Sequence, residues 1–170
     1  GNGGGLTQAA VDGAGLFTGP GTAAYLRDGT GTVYAYRGDQ EAETIEPVIV
    51  LTNSASASAS ELFARAIGDQ GCGIVVGERS FGKGVAQTLL DGQVFPDLFA
   101  DGSALKLTTD RFYSPSGATT HMVGVIPDLL VPQDLADEVA LLLSASNPAG
   151  DTSGYYRLDL DWRWYIDRDM

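Results

Sequence analysis

Residues 47–61 read Pro-Val-Ile-Val-Leu-Thr-Asn-Ser-Ala-Ser-Ala-Ser-Ala-Ser-Glu, and a helical pattern follows them. The run 47–51 is continuously apolar and largely β-branched, which predicts a buried strand covered on both faces. The apolar residues of the helical pattern are predicted to face inward: Leu62, Phe63, Ala66 and Ile67. The charged residues are spaced four apart and are predicted to face outward: Glu61, Arg65 and Asp69. The stretch therefore predicts a strand-to-helix elbow with small hydroxyl residues at its apex.

Ser58, at this apex, has two interpretations. It begins the tetrapeptide Ser58-Ala-Ser-Glu61, which matches a capping box in which the hydroxyl only caps the helix. It also stands where an elbow can present a nucleophile, but a serine hydroxyl is a poor nucleophile until a base removes its proton. The nucleophile interpretation therefore needs a base elsewhere in the chain. The other serines of the elbow are predicted to be structural: Ser54, Ser56 and Ser60.

A lysine in a second stretch could be that base. Residues 77–87 read Gly-Glu-Arg-Ser-Phe-Gly-Lys-Gly-Val-Ala-Gln, and Lys83 lies between two glycines that allow close approach of the backbone. A lysine acts as a base only when it is neutral, and apolar surroundings favour that form. Gln87 could accept a hydrogen bond from the amine without adding a charge that would keep it protonated. His121 is the sole histidine, lies far along the chain, and is predicted not to be catalytic.

A phosphate-binding loop is the main alternative for this lysine. Residues 77–83 follow an apolar run and supply most of a Walker A motif, Gly-x-x-x-x-Gly-Lys. The next residue, however, is Gly84, where that motif requires a Ser or Thr for Mg²⁺. Residues 85–90 also alternate like a strand and do not open a helix. Nucleotide binding is therefore disfavoured, and because no His, Cys and carboxylate cluster has metal-ligand spacing, no cofactor or metal is predicted.

An ordered series of motifs resembles the carboxyl-terminal processing peptidases, also called tail-specific proteases. The series comprises Gly-Asn-Gly-Gly-Gly (1–5), Ser-Ala-Ser-Ala-Ser-Glu (56–61), Gly-Glu-Arg-Ser-Phe-Gly-Lys-Gly (77–84), Gln87, Asp-Gly-Ser-Ala-Leu-Lys-Leu-Thr-Thr (101–109), Tyr-Ser-Pro-Ser-Gly (113–117) and Gly-Val-Ile-Pro-Asp (124–128). The resemblance extends to about residue 132. Any one motif is weak, but their order makes the series specific.

This resemblance implies a role for each candidate site residue. It implies that Ser58 is the nucleophile of a serine endopeptidase, that Lys83 is its base and that Gln87 orients the lysine. The amide of Ala59 at the start of the helix is a natural oxyanion donor, and the resemblance places the second donor at Gly3 or Gly4. Asp69 matches an aspartate of the family motif but is interpreted as structural.

Fold and context follow from the same resemblance. Strands that alternate with helices predict an α/β fold, and the resemblance implies the ββα spiral core shared with crotonases and Clp peptidases. It implies that residues 1–134 are a peptidase core truncated at its N-terminus, without a preceding strand and PDZ domain. It implies polypeptide substrates that enter by their C-termini, and an extracytoplasmic location, whether periplasmic, cell-envelope or secreted. The alternatives are a catalytically inactive fragment and a scaffold or peptide-binding domain of the same fold.

Composition narrows the function further. With 170 residues and 44% hydrophobic residues, the chain can form one globular core. Its net charge of −12 argues against nucleic acid and anionic membrane surfaces, which bind clustered Lys and Arg. No apolar run approaches the ~20 residues that span a bilayer. The single Cys72 cannot form a disulfide within the chain.

Further elements are predicted on both sides of the elbow. Besides a short helical pattern at 6–17, the expected strands cover 23–27, 32–37, 73–76, 85–90, 93–98 and 104–112. Residues 135–170 are predicted to form a helix (135–143), a linker (144–154) and an amphipathic terminal strand (155–166). The apolar face of that strand is Leu158, Leu160, Trp162 and Trp164. We expect this face to pack within its own chain, with a homodimer formed through the strand as the alternative.

Overall fold

Two sheets and two helices form the part of the chain that the computed structural model describes, residues 1–44 and 46–132. The helices are α1 (Thr7–Thr18) and α2 (Ala59–Asp69). The strands are β1 (Gly21–Asp28), β2 (Val33–Gly38), β3 (Val48–Thr52), β4 (Gly73–Gly77), β5 (Val85–Leu90), β6 (Leu105–Tyr113) and β7 (Leu129–Leu130). The predicted α/β class is confirmed. The helix, linker and strand predicted for 135–170 lie outside the described residues.

The first sheet is antiparallel, with strand order β2-β1-β6-β5. The β1–β2 hairpin is closed by Asp28, whose carboxylate accepts the amides of Thr30 and Thr32 at 2.9 Å each. Alternate side chains of β1 and β6 point to one face of the sheet, where Ala24 and Phe112 pack against Leu62 of α2. One face of this sheet therefore packs against α2, the helix that follows the elbow.

The second sheet is parallel, with strand order β3-β4-β7 and with α2 between β3 and β4 in the chain. On one face, Val75 of β4 packs against Ala64 of α2. On the other face, Ile49 and Leu51 are 63% and 76% exposed. The prediction that this strand is covered on both faces was therefore wrong, because α2 covers only one face of the sheet within the described residues.

The two helices pack against each other and fix the chain before the elbow. Val11 and Ala14 of α1 share a core cluster with Ala66 of α2. The rings of Phe17 and Phe63 meet edge to face, with their centroids 6.2 Å apart. This packing holds the start of α1, and therefore the glycine run at 1–5, near the N-terminus of α2.

Most predicted strands are present, with ends that differ by one or two residues, but the strand predicted for 93–98 is not. That segment forms turns, because the carbonyl oxygen and the side chain of Asp91 accept the amides of Phe95 (2.8 Å) and Gln93 (2.9 Å). Pro96 in addition lacks an amide for a ladder.

Among the described residues, no helix combines the length and apolar character needed to cross a bilayer.

Candidate active site

Ser58 lies at the turn between β3 and α2, in a backbone conformation that few residues with a side chain adopt. Its φ is +60° and its ψ is −121°, which lies outside the regions allowed to ordinary L-residues. Asn53 stabilises the turn before it, since its side-chain oxygen accepts the amide of Ala55 at 3.1 Å. A serine on a strained strand-to-helix turn is the arrangement by which hydrolases expose a nucleophile. The predicted elbow is therefore present.

The glutamate half of the predicted capping box is present as well. The amide of Ser58 donates to Oε2 of Glu61 at 2.8 Å, and the amide of Glu61 donates to the carbonyl oxygen of Ser58 at 2.9 Å. The carboxylate of Glu61 thus caps the start of α2. Capping and catalysis do not exclude each other here, because these two hydrogen bonds use the backbone of Ser58.

The loop that carries Lys83 meets the elbow through backbone contacts. The amide of Lys83 donates to Oε2 of Glu61 at 2.8 Å, the same atom that accepts the amide of Ser58. The amide of Phe81 donates to the carbonyl oxygen of Ser56 at 2.9 Å. The structure therefore brings the two predicted motifs together at the level of the backbone. Within the described part of the chain, Nζ of Lys83 forms no hydrogen bond with Oγ of Ser58.

Gln87 lies on β5, shortly after the lysine. Its Nε2 donates to Oγ1 of Thr108 on the neighbouring strand β6 at 3.2 Å. As far as the described residues show, it makes no hydrogen bond with Lys83. Its predicted role in orienting the lysine therefore stays a prediction.

The amide of Ala59, the first residue of α2, is one of the predicted oxyanion donors. It donates to no acceptor among residues 1–44 and 46–132. First-turn amides of a helix have no partner within the helix, and the helix dipole makes this end positive. The amide beside Ser58 is thus available for an anion.

The glycine run packs directly against the elbow. A methyl group added to Gly4 would lie 2.8 Å from Cβ of Ser58 and 2.9 Å from the amide nitrogen of Ala59. The run is held there by Asn2, whose carbonyl oxygen accepts the amide of Ala57 at 3.0 Å. The amide of Gly4 donates to the side chain of Asn2 at 3.0 Å. Gly3 is therefore the predicted second donor whose amide has no acceptor in the described structure.

A cavity of about 700 Å³ opens beside this glycine run. Small and apolar residues from α1 and α2 form much of its wall, among them Ala9, Ala10, Ala59 and Phe63. An apolar side chain could therefore lie next to the available amide of Ala59.

The structure corrects the prediction for Glu61. This residue was expected on the outer face of α2, but it is fully buried. Helical spacing alone placed it in line with Arg65 and Asp69, whereas its carboxylate bends back toward the elbow. The capping-box pattern contained the signal for that direction, since its glutamate reaches back to the residue before the helix.

Arg65 and Asp69, which are four positions apart, form an ion pair at 2.7 Å, but the side chain of Asp69 is only 6% exposed, so its predicted outward position was wrong as well. Asp69 also accepts the amide of Ser116 at 3.0 Å. Burial alone would raise the pKa of Asp69. Hydrogen bonds from Ser114 and Ser116, together with the charge of Arg65, outweigh burial, so the pKa of Asp69 lies below its ordinary value of 3.8. These contacts support the structural interpretation of Asp69.

His121 is distant from Lys83 in sequence but close to it in space. Its backbone packs against Gly84, where an added methyl group would lie 2.4 Å from the nitrogen of His121. Its Nδ1 is buried without a hydrogen-bond partner among the described residues. His121 is therefore a second nitrogen base close to Gly84, next to Lys83 in the chain, and an experiment must distinguish it from the lysine. The described residues contain no group of three or more His, Cys, Asp or Glu arranged to hold a metal ion.

The chain is similar to proteins of a known peptidase family. Residues 1–131 match the model of peptidase family S41. A carboxyl-terminal-processing protease of Synechocystis sp. is 36% identical over 134 residues, which cover 79% of this chain and 30% of that protein. A chloroplastic C-terminal processing peptidase of Tetradesmus obliquus is 35% identical over 86% of this chain and 32% of its own length.

Among solved structures, a photosystem II D1 C-terminal processing protease is similar to this chain with a TM-score of 0.69. The two are 36% identical, and the match covers 77% of this chain and 32% of that structure. The chain thus spans about a third of the length of the relatives that it matches.

Proposed function

Because this chain belongs to peptidase family S41, we propose that it is the core of a serine endopeptidase that cleaves polypeptides near their C-termini with a Ser58–Lys83 dyad. One observation carries this proposal: Ser58 has a positive φ at the head of α2, and its amide shares one carboxylate oxygen with the amide of Lys83. A strained serine beside a lysine-bearing loop favours a nucleophile over a simple helix cap.

The proposed reaction proceeds by acyl transfer. Neutral Lys83 accepts the hydroxyl proton as Oγ of Ser58 bonds to the scissile carbonyl carbon. The carbonyl oxygen becomes an oxyanion, which the amides of Ala59 and Gly3 or Gly4 stabilise as donors. Collapse of this intermediate breaks the C–N bond, and Lys83 returns the proton to the leaving amine. Water then hydrolyses the acyl-enzyme by the same steps.

Two side-chain movements would complete this site. Nζ of Lys83 has to come within hydrogen-bond reach of Oγ of Ser58, a contact that often tightens only when substrate is bound. Gln87 would then turn its side-chain oxygen toward the amine, while its Nε2 keeps the bond to Thr108. If the Gly4 amide is to serve as donor in place of Gly3, it must first leave the side chain of Asn2.

The finer fold assignment belongs to the same proposal. We infer the ββα spiral core of crotonases and Clp peptidases, and the order strand, strand, helix in β2, β3 and α2 is compatible with it. Names of the relatives support C-terminal processing. An extracytoplasmic location is part of the same proposal; the Tetradesmus obliquus relative is named as chloroplastic. The substrate class is a proposal of the same kind. So is the packing of the terminal strand within its own chain, with a homodimer through that strand as the alternative.

An inactive scaffold of the same fold is the alternative function. The Ser58, Lys83 and Gln87 set argues against it, and a covalent probe separates the two. Wild-type protein should react with a fluorophosphonate, and peptide mapping should place the label on Ser58. Absence of labelling, or a label on another serine, would favour the scaffold.

A further inference from the structure

A single buried carboxylate joins the two halves of the candidate active site. We propose that Glu61, oriented by Ser80, is a positioning residue that sets the separation between Ser58 and Lys83. The inference rests on the proposed dyad, but the hydrogen bonds that carry it are independent of any chemistry at Ser58.

Each oxygen of Glu61 accepts hydrogen bonds from the candidate site. Oε2 accepts the amides of Ser58 and Lys83, both at 2.8 Å. Oε1 accepts the amide of Gly82 at 2.8 Å and the hydroxyl of Ser80. One atom therefore contacts both proposed catalytic residues through their backbones, and its partner atom contacts the loop that precedes the lysine.

A carboxylate at Glu61 can accept all four of these bonds, three of which come from backbone amides that only donate. A carboxylate only accepts hydrogen bonds and offers about four lone-pair positions, whereas a protonated acid would have to donate one. The side chain of Glu61 is fully buried. Within residues 1–44 and 46–132, the ion pair present joins Arg65 to Asp69, and Glu61 is not part of it. Backbone amides and a hydroxyl thus stabilise this charge, so removing the charge would disturb every one of them.

Ser80 fixes the direction in which this carboxylate points. It is also buried, with 4% of its surface exposed. Its hydroxyl donates to Oε1 of Glu61 and accepts the amide of Val125 at 2.6 Å. Ser80 therefore connects the carboxylate of Glu61 to the segment around Val125.

Sheet pairing does not set this spacing by itself. The β3–β4 ladder ends at the pair Thr52 and Gly77, before either proposed catalytic residue. Past that point the amide of Phe81 donates to the carbonyl oxygen of Ser56, and Glu61 adds bonds at Ser58 and Lys83 themselves. Proton transfer requires heavy atoms about 2.6–3.2 Å apart, and a misplacement of about 1 Å can cost on the order of 100-fold in rate.

Two substitutions test the proposal, each with a matched control. Glu61→Gln keeps the size of the side chain but places an NH₂ donor against an amide donor. Asp69→Asn makes the same chemical change further along α2, at a carboxylate bound to Arg65 and Ser116. Ser80→Ala removes the hydroxyl that orients Glu61, and Ser114→Ala removes an equally buried serine hydroxyl that pairs with Ser116.

Steady-state kinetics and amide hydrogen exchange are measured on all four variants and on the wild type. In Glu61→Gln, we expect kcat to fall about 100-fold with KM changed less than about threefold. The amides of Ser58 and Lys83 should both exchange at least about tenfold faster, while the β3–β4 ladder keeps its protection. Ser80→Ala should also lower kcat and speed the exchange of the Ser58 and Lys83 amides. In the double variant with Glu61→Gln, the fall in kcat should be smaller than the product of the two single effects.

Two results would overturn the proposal. One is wild-type exchange of the Ser58 and Lys83 amides in Glu61→Gln, and the other is a fall in kcat no larger than that of Asp69→Asn. If Glu61→Gln does not fold, the folded Ser80→Ala variant decides by the same two criteria against Ser114→Ala. If the wild type itself neither cleaves peptide nor reacts with fluorophosphonate, the proposed function fails, and amide exchange alone decides whether Glu61 positions the two residues.

Discussion

At the scale of single residues, the hydroxyl of Ser58 performs the proposed attack, so Ser58→Ala should abolish peptide cleavage. Ser56→Ala and Ser60→Ala should retain substantial activity, since their hydroxyls already have structural partners. That of Ser56 binds the side chain of Asn53, and that of Ser60 donates to the carbonyl oxygen of Asn2. Initial rates on an unstructured peptide measure all three. Near-wild-type turnover by Ser58→Ala would end the serine-peptidase proposal.

Lys83 is expected to act by proton transfer and not by its charge. Lys83→Arg should therefore be nearly inactive, because arginine keeps the charge but does not deprotonate in proteins, and Lys83→Ala should be equally inactive. The measurement is kcat for each variant and for the wild type.

The control for this prediction is His121, the nitrogen base that packs against Gly84. His121→Gln should retain most of the wild-type kcat, since the proposed proton transfer does not involve it. Loss of activity in His121→Gln together with an active Lys83→Arg would identify the histidine as the base.

Asp69 should contribute stability that depends on pH. Its folded-state pKa lies below its ordinary value of 3.8 because hydrogen bonds and Arg65 outweigh burial. The contribution is therefore complete well above pH 3.8 and is lost as the pH falls through the lower folded-state value. At pH 7, Asp69→Asn should reduce the free energy of unfolding by about 1 kcal/mol. Urea unfolding at pH 7 and at acid pH should show this difference shrinking in acid; a difference that grows in acid would contradict it.

For single residues, sequence patterns predicted which residues belong to the candidate site better than they predicted where the side chains point. The motif series placed Ser58, Lys83 and the glycine run correctly near one another, because the order of the motifs reflects the fold. Helical spacing misplaced Glu61, because in the first turn a side chain can bind the preceding loop and leave the outer face. No pattern pointed to Ser80, whose partners Glu61 and Val125 are 19 and 45 positions away.

At the scale of elements, the glycine after Lys83 allows two loops to touch. A methyl group at Gly84 would lie 2.4 Å from the backbone nitrogen of His121, so one loop would have to move. Gly84→Ala should therefore lower both the melting temperature and kcat. Gly29→Ala is the matched control, because nothing lies within 4 Å of the added methyl group. Thermal unfolding and initial rates test the pair, and equal behaviour of the two variants would show that the loops are not tightly packed.

The predicted strands are present where no local hydrogen bond competes with strand pairing. The apolar run before the elbow does form β3, but the run could not reveal that α2 covers one face only within the described residues. Residues 93–98 failed for a local reason: Asp91 accepts two of their amides and so replaces a ladder with turns. The sequence did contain signals of that competition, the turn dipeptide Asp91-Gly92 and Pro96 within the segment, but the extended pattern alone did not take them into account.

At the scale of the whole molecule, the terminal segment 155–166 gives a prediction that stands on sequence alone, since it lies outside the described residues. Four apolar side chains on one strand face would expose a patch of several hundred Å², which monomers seldom tolerate. We expect the face to be covered within its own chain. Replacing Trp162 and Trp164 by Ser should then lower the melting temperature without changing the sedimentation coefficient. A concentration-dependent dimer that these changes convert to a folded monomer would show the opposite.

Family and fold class were accessible from the sequence, whereas the arrangement of side chains within the site was not. The net charge of −12 and the motif series describe the chain as a whole. The contacts among Lys83, Gln87 and Ser58 depend on rotamers that no spacing rule encodes. The structure places Gln87 against Thr108, and nothing in the Gly-Lys-Gly motif indicates that partner.

The positive φ of Ser58 lowers the stability of the fold, whereas under the proposed function it serves catalysis. A side chain in this conformation costs the fold roughly 1–2 kcal/mol, and glycine would avoid most of that cost while still serving as an N-cap. Under the proposed function, selection for the hydroxyl is what keeps a serine there. On the same proposal, a descendant of this chain that no longer cleaved peptides would drift toward glycine at this position. Glycine at the elbow would accordingly mark an inactive lineage more reliably than the loss of any single motif elsewhere.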